Sequence, residues 1–422
     1  MSRGRGGKPT VWRPSESLGR MSAPLEPPSL KTKILEPNPH GHRLYYVRIL
    51  AEALPCGSVE WLTTPEAAKS QEAQVHLSHL LDARSLHCVQ MESWHQRRKV
   101  LRTLGHGEHL VVIPDGDKWL PTLLWQSLLT LGRPHHAKYR VLCMRPPVRG
   151  SGARNAAATL RTLAKWLLIR AIARLNARSR GVELFSLVDS FGFTADWAPA
   201  GALPVADPVM PRDLPTREQA RRRLGIDEDV LVVGLLGVID QRKNPDIVLA
   251  GCVEAFRHMK GLLLVAGQVR AQGFPSDSAR PGWGLHQLCL LDRYLSEDEL
   301  GAAAAACDAV ALLYDNHGSS SGVLSLAAQA GAAVIVPQGS RLARIAQVGG
   351  FGVGSSLSAP GIAGSLERVA AEREVLSRAA LRASSRLGIA DFVAKLTGSV
   401  REEALGQGVD HSVSSDGQKG GE

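Results

Sequence analysis

Two rhythms alternate along the chain. Short apolar runs bounded by Gly, Pro, Asn or Asp read as buried strands, and apolar residues three and four apart read as helices. In the first half, strands are predicted from Thr32 and over 59–63, 109–113, 139–144 and 182–188. Helices are predicted over 44–54, 76–81, 94–104, 119–131 and 155–178. A second set follows, with strands over 230–236, 261–266, 286–291, 309–314 and 332–336 and helices over 245–258, 297–306, 323–330 and 341–348. A helix also opens after Thr216, whose hydroxyl caps it, with Gln219 at the capping-box position and Gly225 at its end. Two more helices are expected around 362–372 and 387–405.

Regular alternation of strand and helix predicts parallel sheets covered on both faces, hence an α/β chain with two doubly wound units. The stretch 198–215, rich in Pro, Ala and Asp, is the place to join them. The expected organisation is a basic disordered arm (1–28), a first unit (29–203), a linker (204–215), a second unit (216–385), a C-terminal helix (386–405) and a polar, Gly-rich disordered tail (406–422). Ligands of open α/β sheets bind beyond the carboxyl ends of the strands, so the chemistry is expected in post-strand loops facing a cleft between the units.

A length of 422 residues fits two or three domains, and an apolar content of 44% supplies their cores. No run of 18 apolar residues predicts a transmembrane helix, and the N-terminal stretch lacks the apolar region of a secretory signal. The six cysteines are scattered without metal-ligand spacing and read as reduced, mostly buried residues of a cytoplasmic protein. The net charge of +10 is unevenly spread: from Arg133 to Arg180 stand twelve Lys or Arg and no Asp or Glu. That run fits either an anionic partner or a solvated helix face. Stacking aromatics and helix-turn-helix patterns are absent, which argues against nucleic acid. Leu160, Leu163 and Leu167 share a helix face, although the stripe shifts beyond Arg170, so a peripheral contact with the inner face of an anionic membrane is a second expectation.

Two loops concentrate the chemistry. The first follows the strand ending at Gly237 and carries Arg242 and Lys243 just before a helix that opens at Pro245. Two cations beside a helix N-terminus suit a diphosphate; the alternative is a surface turn that happens to be basic. The second follows Tyr314 and carries Asp315, His317, Gly318, Ser319, Ser320, Ser321 and Gly322. Its glycines let a ligand approach the backbone, and its hydroxyls either bind phosphate or sugar or simply cap the next helix. Walker, nucleophile-elbow and dinucleotide fingerprints are all missing, which excludes P-loop NTPases and α/β-hydrolases and argues against nicotinamide enzymes.

Residues 217–351 resemble the nucleotide-sugar domain of family 4 GT-B glycosyltransferases. The resemblance rests on the order of Gly237 to Lys243, Ala266-Gly267, the Leu295-Ser-Glu-Asp-Glu-Leu helix start, Ala306-Cys-Asp-Ala-Val, the Ser/Gly loop, and Ala330-Gly-Ala-Ala-Val-Ile-Val. It covers about a third of the chain well and the rest weakly. It implies a GT-B fold of two Rossmann-like domains facing a cleft, a nucleotide-sugar donor, an acceptor the sequence does not name, and no metal or other cofactor. Gly237, Arg242, Lys243, Gly267, Asp315, His317, Ser319, Ser320, Ser321 and Gly322 become the donor-side residues. Arg242 and Lys243 would stabilise the leaving diphosphate. His40, Gly41 and His42 match the family's first loop and fall on the acceptor side, with His42 a third catalytic candidate. The pattern departs at Val238, where the family has Arg, and between Tyr314 and Gly331, where the family's two glutamates are replaced by residues that include no Glu. Two other readings stand beside this one: a non-catalytic binding or scaffold protein of the same descent, which the missing glutamates favour and the retained Lys243 and Ser/Gly loop oppose, and a GT-B nucleotide-sugar epimerase, which the Ser-rich loop argues against.

Overall fold

The computed structural model describes residues 31–40, 43–55, 57–81, 86–130, 137–144, 156–177, 181–274, 288–314 and 321–398. Two parallel sheets organise the chain. The first contains β1 (Lys31–Leu35), β2 (Val59–Thr63), β3 (Leu86–Cys88), β4 (His109–Ile113), β5 (Lys138–Cys143), β6 (Val182–Leu187) and β7 (Leu203–Val205), ordered β3-β2-β1-β4-β5-β6-β7. The second contains β8 (Leu231–Leu236), β9 (Gly261–Ala266), β10 (Leu288–Leu291), β11 (Ala309–Ala311), β12 (Ala333–Pro337) and β13 (Gly352–Ser355), ordered β10-β9-β8-β11-β12-β13.

Alternate residues of each strand enter opposite cores, as the period of two requires. Ile34, Leu110, Val112 and Leu142 meet α1 (Arg43–Ala53) and α3 (Gln71–Leu81), which follows the short α2 (Pro65–Ala68). Leu35, Val111, Ile113, Val141 and Cys143 meet α4 (Trp94–Leu104), α5 (Leu120–Leu129) and α6 (Ala156–Asn176). The second sheet divides likewise. Val232 and Leu236 face the side covered by α7 (Arg217–Leu224), α9 (Glu297–Ala306), α10 (Gly322–Gln329) and α11 (Arg341–Val348). Leu231, Val233 and Leu235 face α8 (Pro245–Ala255), and α12 (Ala359–Ser384) contributes to both sides. Burial on both faces explains why these strands read as continuous apolar runs. At the base of the second unit the buried Asp308 carboxylate takes Arg221 at 2.7 Å and Arg373 at 2.6 Å.

The structure extends the expected pattern at four places. β3 is only three residues long, and its His87 and Cys88 are exposed, so it carries no apolar signature. β7 takes 203–205 out of the expected linker; its Pro204 fits because the strand lies at the sheet edge. β13 contains two glycines in four residues. The helix expected near 362–372 is part of the 26-residue α12, and the C-terminal helix is the shorter α13 (Ala390–Thr397). The expected terminal arm and tail lie outside the described residues.

Each unit also contributes residues to the core of the other. α13 places Phe392, Val393 and Leu396 in the first unit's core beside Tyr46. In return, Phe191, which follows β6, joins the second unit's core against Phe351. Arg386 donates to the Phe191 carbonyl at 2.9 Å, and Arg344 pairs with Asp196 at 2.7 Å.

Candidate donor site at the second switch point

In the second sheet β8 is flanked by β9 on one side and β11 on the other. The connections therefore run in opposite directions from the carboxyl ends of β8 and β11, which makes this the topological switch point where doubly wound folds bind ligands. The loops holding Lys243 and Ser321 both leave from it.

The turn after β8 depends on two glycines. Register Leu236↔Ala266 continues to Gly237 opposite Gly267, and Gly237 N–H donates to the Ala266 carbonyl at 2.8 Å. Both lie at positive φ, +80° and +133°, and a Cβ on Gly267 would overlap the Gly237 carbonyl. The backbones approach so closely that only glycine fits at 267.

A 3₁₀ turn, Gln241–Lys243, then folds the loop back on the strand. Lys243 is buried: its ammonium donates to the Leu236 carbonyl, near the Tyr314 ring (5.8 Å to its centroid) and beside the Gly237 turn. Burial pulls its pKa down to about 8. Arg242 is 69% exposed, with two bonds to Asp240 at 3.0 and 2.8 Å. One cation is thus buried beneath the turn and the other exposed, and Tyr314 interacts with both.

The N-terminus of α8 opens on Pro245 and Asp246. Pro245 contributes no N–H, Ile247 and Val248 both donate to the Asn244 carbonyl at 3.1 Å, and Asp246 places a carboxylate in the first turn. At α10, Leu324 and Ser325 likewise donate to the Ser321 carbonyl, at 3.0 and 3.2 Å. Its first turn carries no acid, and Ser321 caps it by accepting from Leu324 N–H at 3.4 Å. Gly322 is exposed, with open space where a Cβ would stand. Asp315, His317, Ser319 and Ser320 lie outside the described residues.

Sequence reasoning missed Asn244. It adopts φ +49°, ψ +48° between the 3₁₀ turn and α8, and its amide donates to the Leu313 carbonyl at 2.7 Å, tying the β8 loop to the end of β11. An Asn directly before a helix-opening Pro is the signal that marks it.

The first sheet has its own switch point, between β1 and β4. His40 reaches outward there: its side chain is 78% exposed, and Nδ1 stands 3.5 Å from Glu72. Gly41 and His42 lie outside the described residues. The buried groups are ones the sequence reading passed over. Arg43 donates to Asp115 at 2.6 Å and to the His40 carbonyl at 2.7 Å. Glu36, 1% exposed, accepts from Asn38 N–H at 2.9 Å, and its other oxygen has no hydrogen-bond partner among the described residues. Burial raises its pKa to about 8, with Asp115 adding to the rise and Arg43 opposing it. Glu36 and Asp115 are the first acids after two apolar strands, and that position is the signal for both. A cavity of about 310 Å³ beside α4, lined by Leu62, Val89, Val100 and Leu104 among others, includes none of these groups.

Comparison with known proteins comes down to the fold. No protein-family model matches the sequence, and no curated protein matches it either. Solved structures do. HepE of Anabaena in complex with UDP is similar over 88% of this chain and 99% of its own, with a TM-score of 0.56 at 12% identity. The same protein with UDP-glucose gives 0.54 at 14% identity over 88% and 99%. A glycosyltransferase from Rickettsia africae gives 0.55 at 9% identity over 88% of this chain and 96% of that one. The chain therefore has the GT-B fold, with two Rossmann-like domains.

Proposed function

We propose that this protein is a glycosyltransferase of the GT-B type, similar to family 4, that moves a hexosyl group from a nucleoside-diphosphate sugar to an acceptor hydroxyl. The observation that carries the reading is the position of Lys243: a buried ammonium at the switch point of the second sheet, beside the Gly237 turn and the Tyr314 ring. Its support from outside is a fold shared with HepE, which holds UDP and UDP-glucose. The same comparison makes a uridine nucleotide the first donor to try.

In this reading the C1–O bond to the diphosphate breaks and a bond from C1 to the acceptor oxygen forms. The acceptor proton passes to the leaving phosphate, as the family resemblance implies. Negative charge grows on the diphosphate as its bond to the sugar lengthens. A fixed cation and oriented N–H groups stabilise that charge more in the transition state than in the ground state, without requiring a metal. Lys243 is held in place by the Leu236 carbonyl, so little reorganisation accompanies the step.

Calorimetric titration with UDP and UDP-hexoses, followed by an assay of sugar release and transfer, tests the reading. Binding of UDP at the expected site with hydrolysis or transfer supports it; no binding of any nucleoside diphosphate refutes it. A second reading, a binding protein of the same descent, is favoured by the absence of Glu between Tyr314 and Gly331. Tight binding without turnover on any acceptor extract would select it.

A further inference from the structure

The helical layer on one face of the first sheet carries an unusual surface. α4, α5 and α6 are neighbours there, packed over the core of Leu35, Val111 and Val141. Across the three helices the sequence contains eight Lys or Arg (Arg97, Arg98, Lys99, Arg102, Arg161, Lys165, Arg170 and Arg174) and no Asp or Glu. Seven of the fourteen large apolar side chains exposed among the described residues also lie on these helices. They form two groups. Trp94, Trp125, Leu128 and Leu129 are 37–49% exposed on α4 and α5, and Leu160, Leu163 and Leu167 are 51–65% exposed on α6. Single exposed leucines need no explanation, but this concentration does.

Charge and apolar surface are interleaved rather than separated. The Arg98 guanidinium lies 4.4 Å from the Trp94 ring centroid and 4.9 Å from that of Trp125, and Arg170 lies 5.1 Å from that of Trp166. A guanidinium lying over indoles presents an apolar body and a cationic tip together, the arrangement suited to the boundary between lipid headgroups and acyl chains. Part of the basic run is already engaged elsewhere: Arg140 pairs with Glu183 at 3.1 Å, and Lys165 with Asp117 at 2.7 Å. The docking signal therefore resides in the other seven cations of the three helices, and α4, which lies outside the 133–180 run, contributes four of them. Among the described residues no helix is long and apolar enough to cross a membrane, so the contact is a surface one.

We propose that the α4–α5–α6 layer docks the protein onto an anionic lipid surface, with Leu160, Leu163, Leu167, Trp125, Leu128 and Leu129 entering the acyl boundary and the arginines meeting lipid phosphates. A second copy of the chain fits less well, because an isologous contact would set one basic face against another. The proposal goes beyond the donor reading and stands without it.

Flotation of the full chain with vesicles of phosphatidylcholine alone, and with phosphatidylglycerol added, tests it. Binding is expected only with the anionic lipid, falling by about fivefold for each cation removed in Arg102→Gln and Arg174→Gln at low salt. The double variant Leu163→Gln/Leu167→Gln is expected to lose at least tenfold in partitioning. All four side chains are exposed, so melting temperature and UDP binding should stay at the parental values, which separates this test from the donor site. Equal binding to both vesicles, no binding to either, or a solution dimer that Leu163→Gln/Leu167→Gln dissociates would each overturn the proposal.

Discussion

Replacing Lys243 by Met is the most informative perturbation of the proposed donor site. Met keeps the apolar stem and removes the ammonium. A pKa lowered from 10.5 to about 8 means that the folded protein holds the charged form at a cost of about 3 kcal/mol relative to water. Removing the charge recovers that cost. It also leaves the Leu236 carbonyl without its donor, a loss of about 1–3 kcal/mol. The two nearly offset, so Lys243→Met should melt within a few degrees of the parent. A charge-assisted hydrogen bond to phosphate is worth about 1.5–3 kcal/mol, so UDP affinity should fall by roughly tenfold to a hundredfold. The lowered pKa adds a second signature. Diphosphate prefers the protonated lysine, so parental affinity should weaken as pH rises through about 8, and the variant should lose that dependence. Calorimetry at pH 7 and pH 9 beside thermal melts reads all three quantities. Arg242→Ala, which removes an exposed side chain already paired with Asp240, should cost only a few-fold. Parental UDP affinity in a folded Lys243→Met protein, with loss in Arg242→Ala, would refute the assignment and place the phosphate on the solvent side of the loop.

Three further outcomes follow from the geometry. Gly267→Ala should lower stability by at least about 1–3 kcal/mol and weaken UDP binding, since its φ of +133° and the Gly237 carbonyl leave no room for a Cβ; a parental melt would show that the two turns are not packed as described. Glu36→Gln should alter the pH dependence of stability. The folded pKa of about 8 lies above the ordinary 4.5, so the parent binds an extra proton when folded and loses stability as pH rises between those values, by up to about 4–5 kcal/mol; urea titrations at pH 5 and 8 should give a flatter dependence in the variant. Phe392→Ala should destabilise the first unit by about 3–5 kcal/mol, because a fully buried ring of α13 is removed from beside Tyr46; urea unfolding that leaves the first unit unchanged would remove α13 from its core.

Strand and helix alternation was legible because most strands are buried on both faces, and such strands leave continuous apolar runs between helices. The boundaries of β9, α9 and α11 coincide with the apolar and capping signals, Ser296 and Glu299 forming the box that starts α9. What stayed hidden has a common cause: the residues concerned obey tertiary rather than local rules. Pro204 reads as a linker residue until an edge strand receives it, and Phe392 reads as ordinary helix until the first unit's core takes it. The same holds at the site. Sequence places Arg242 and Lys243 side by side and cannot tell them apart, because composition carries no direction. The turn decides: with Asn244 in the left-handed region and Gly237 packed on Gly267, Lys243 is buried beneath the turn and Arg242 is left exposed. A cation's neighbour in sequence is therefore a poor guide to its partner in chemistry. The position of the backbone carbonyl beneath it, here Leu236, is the better one.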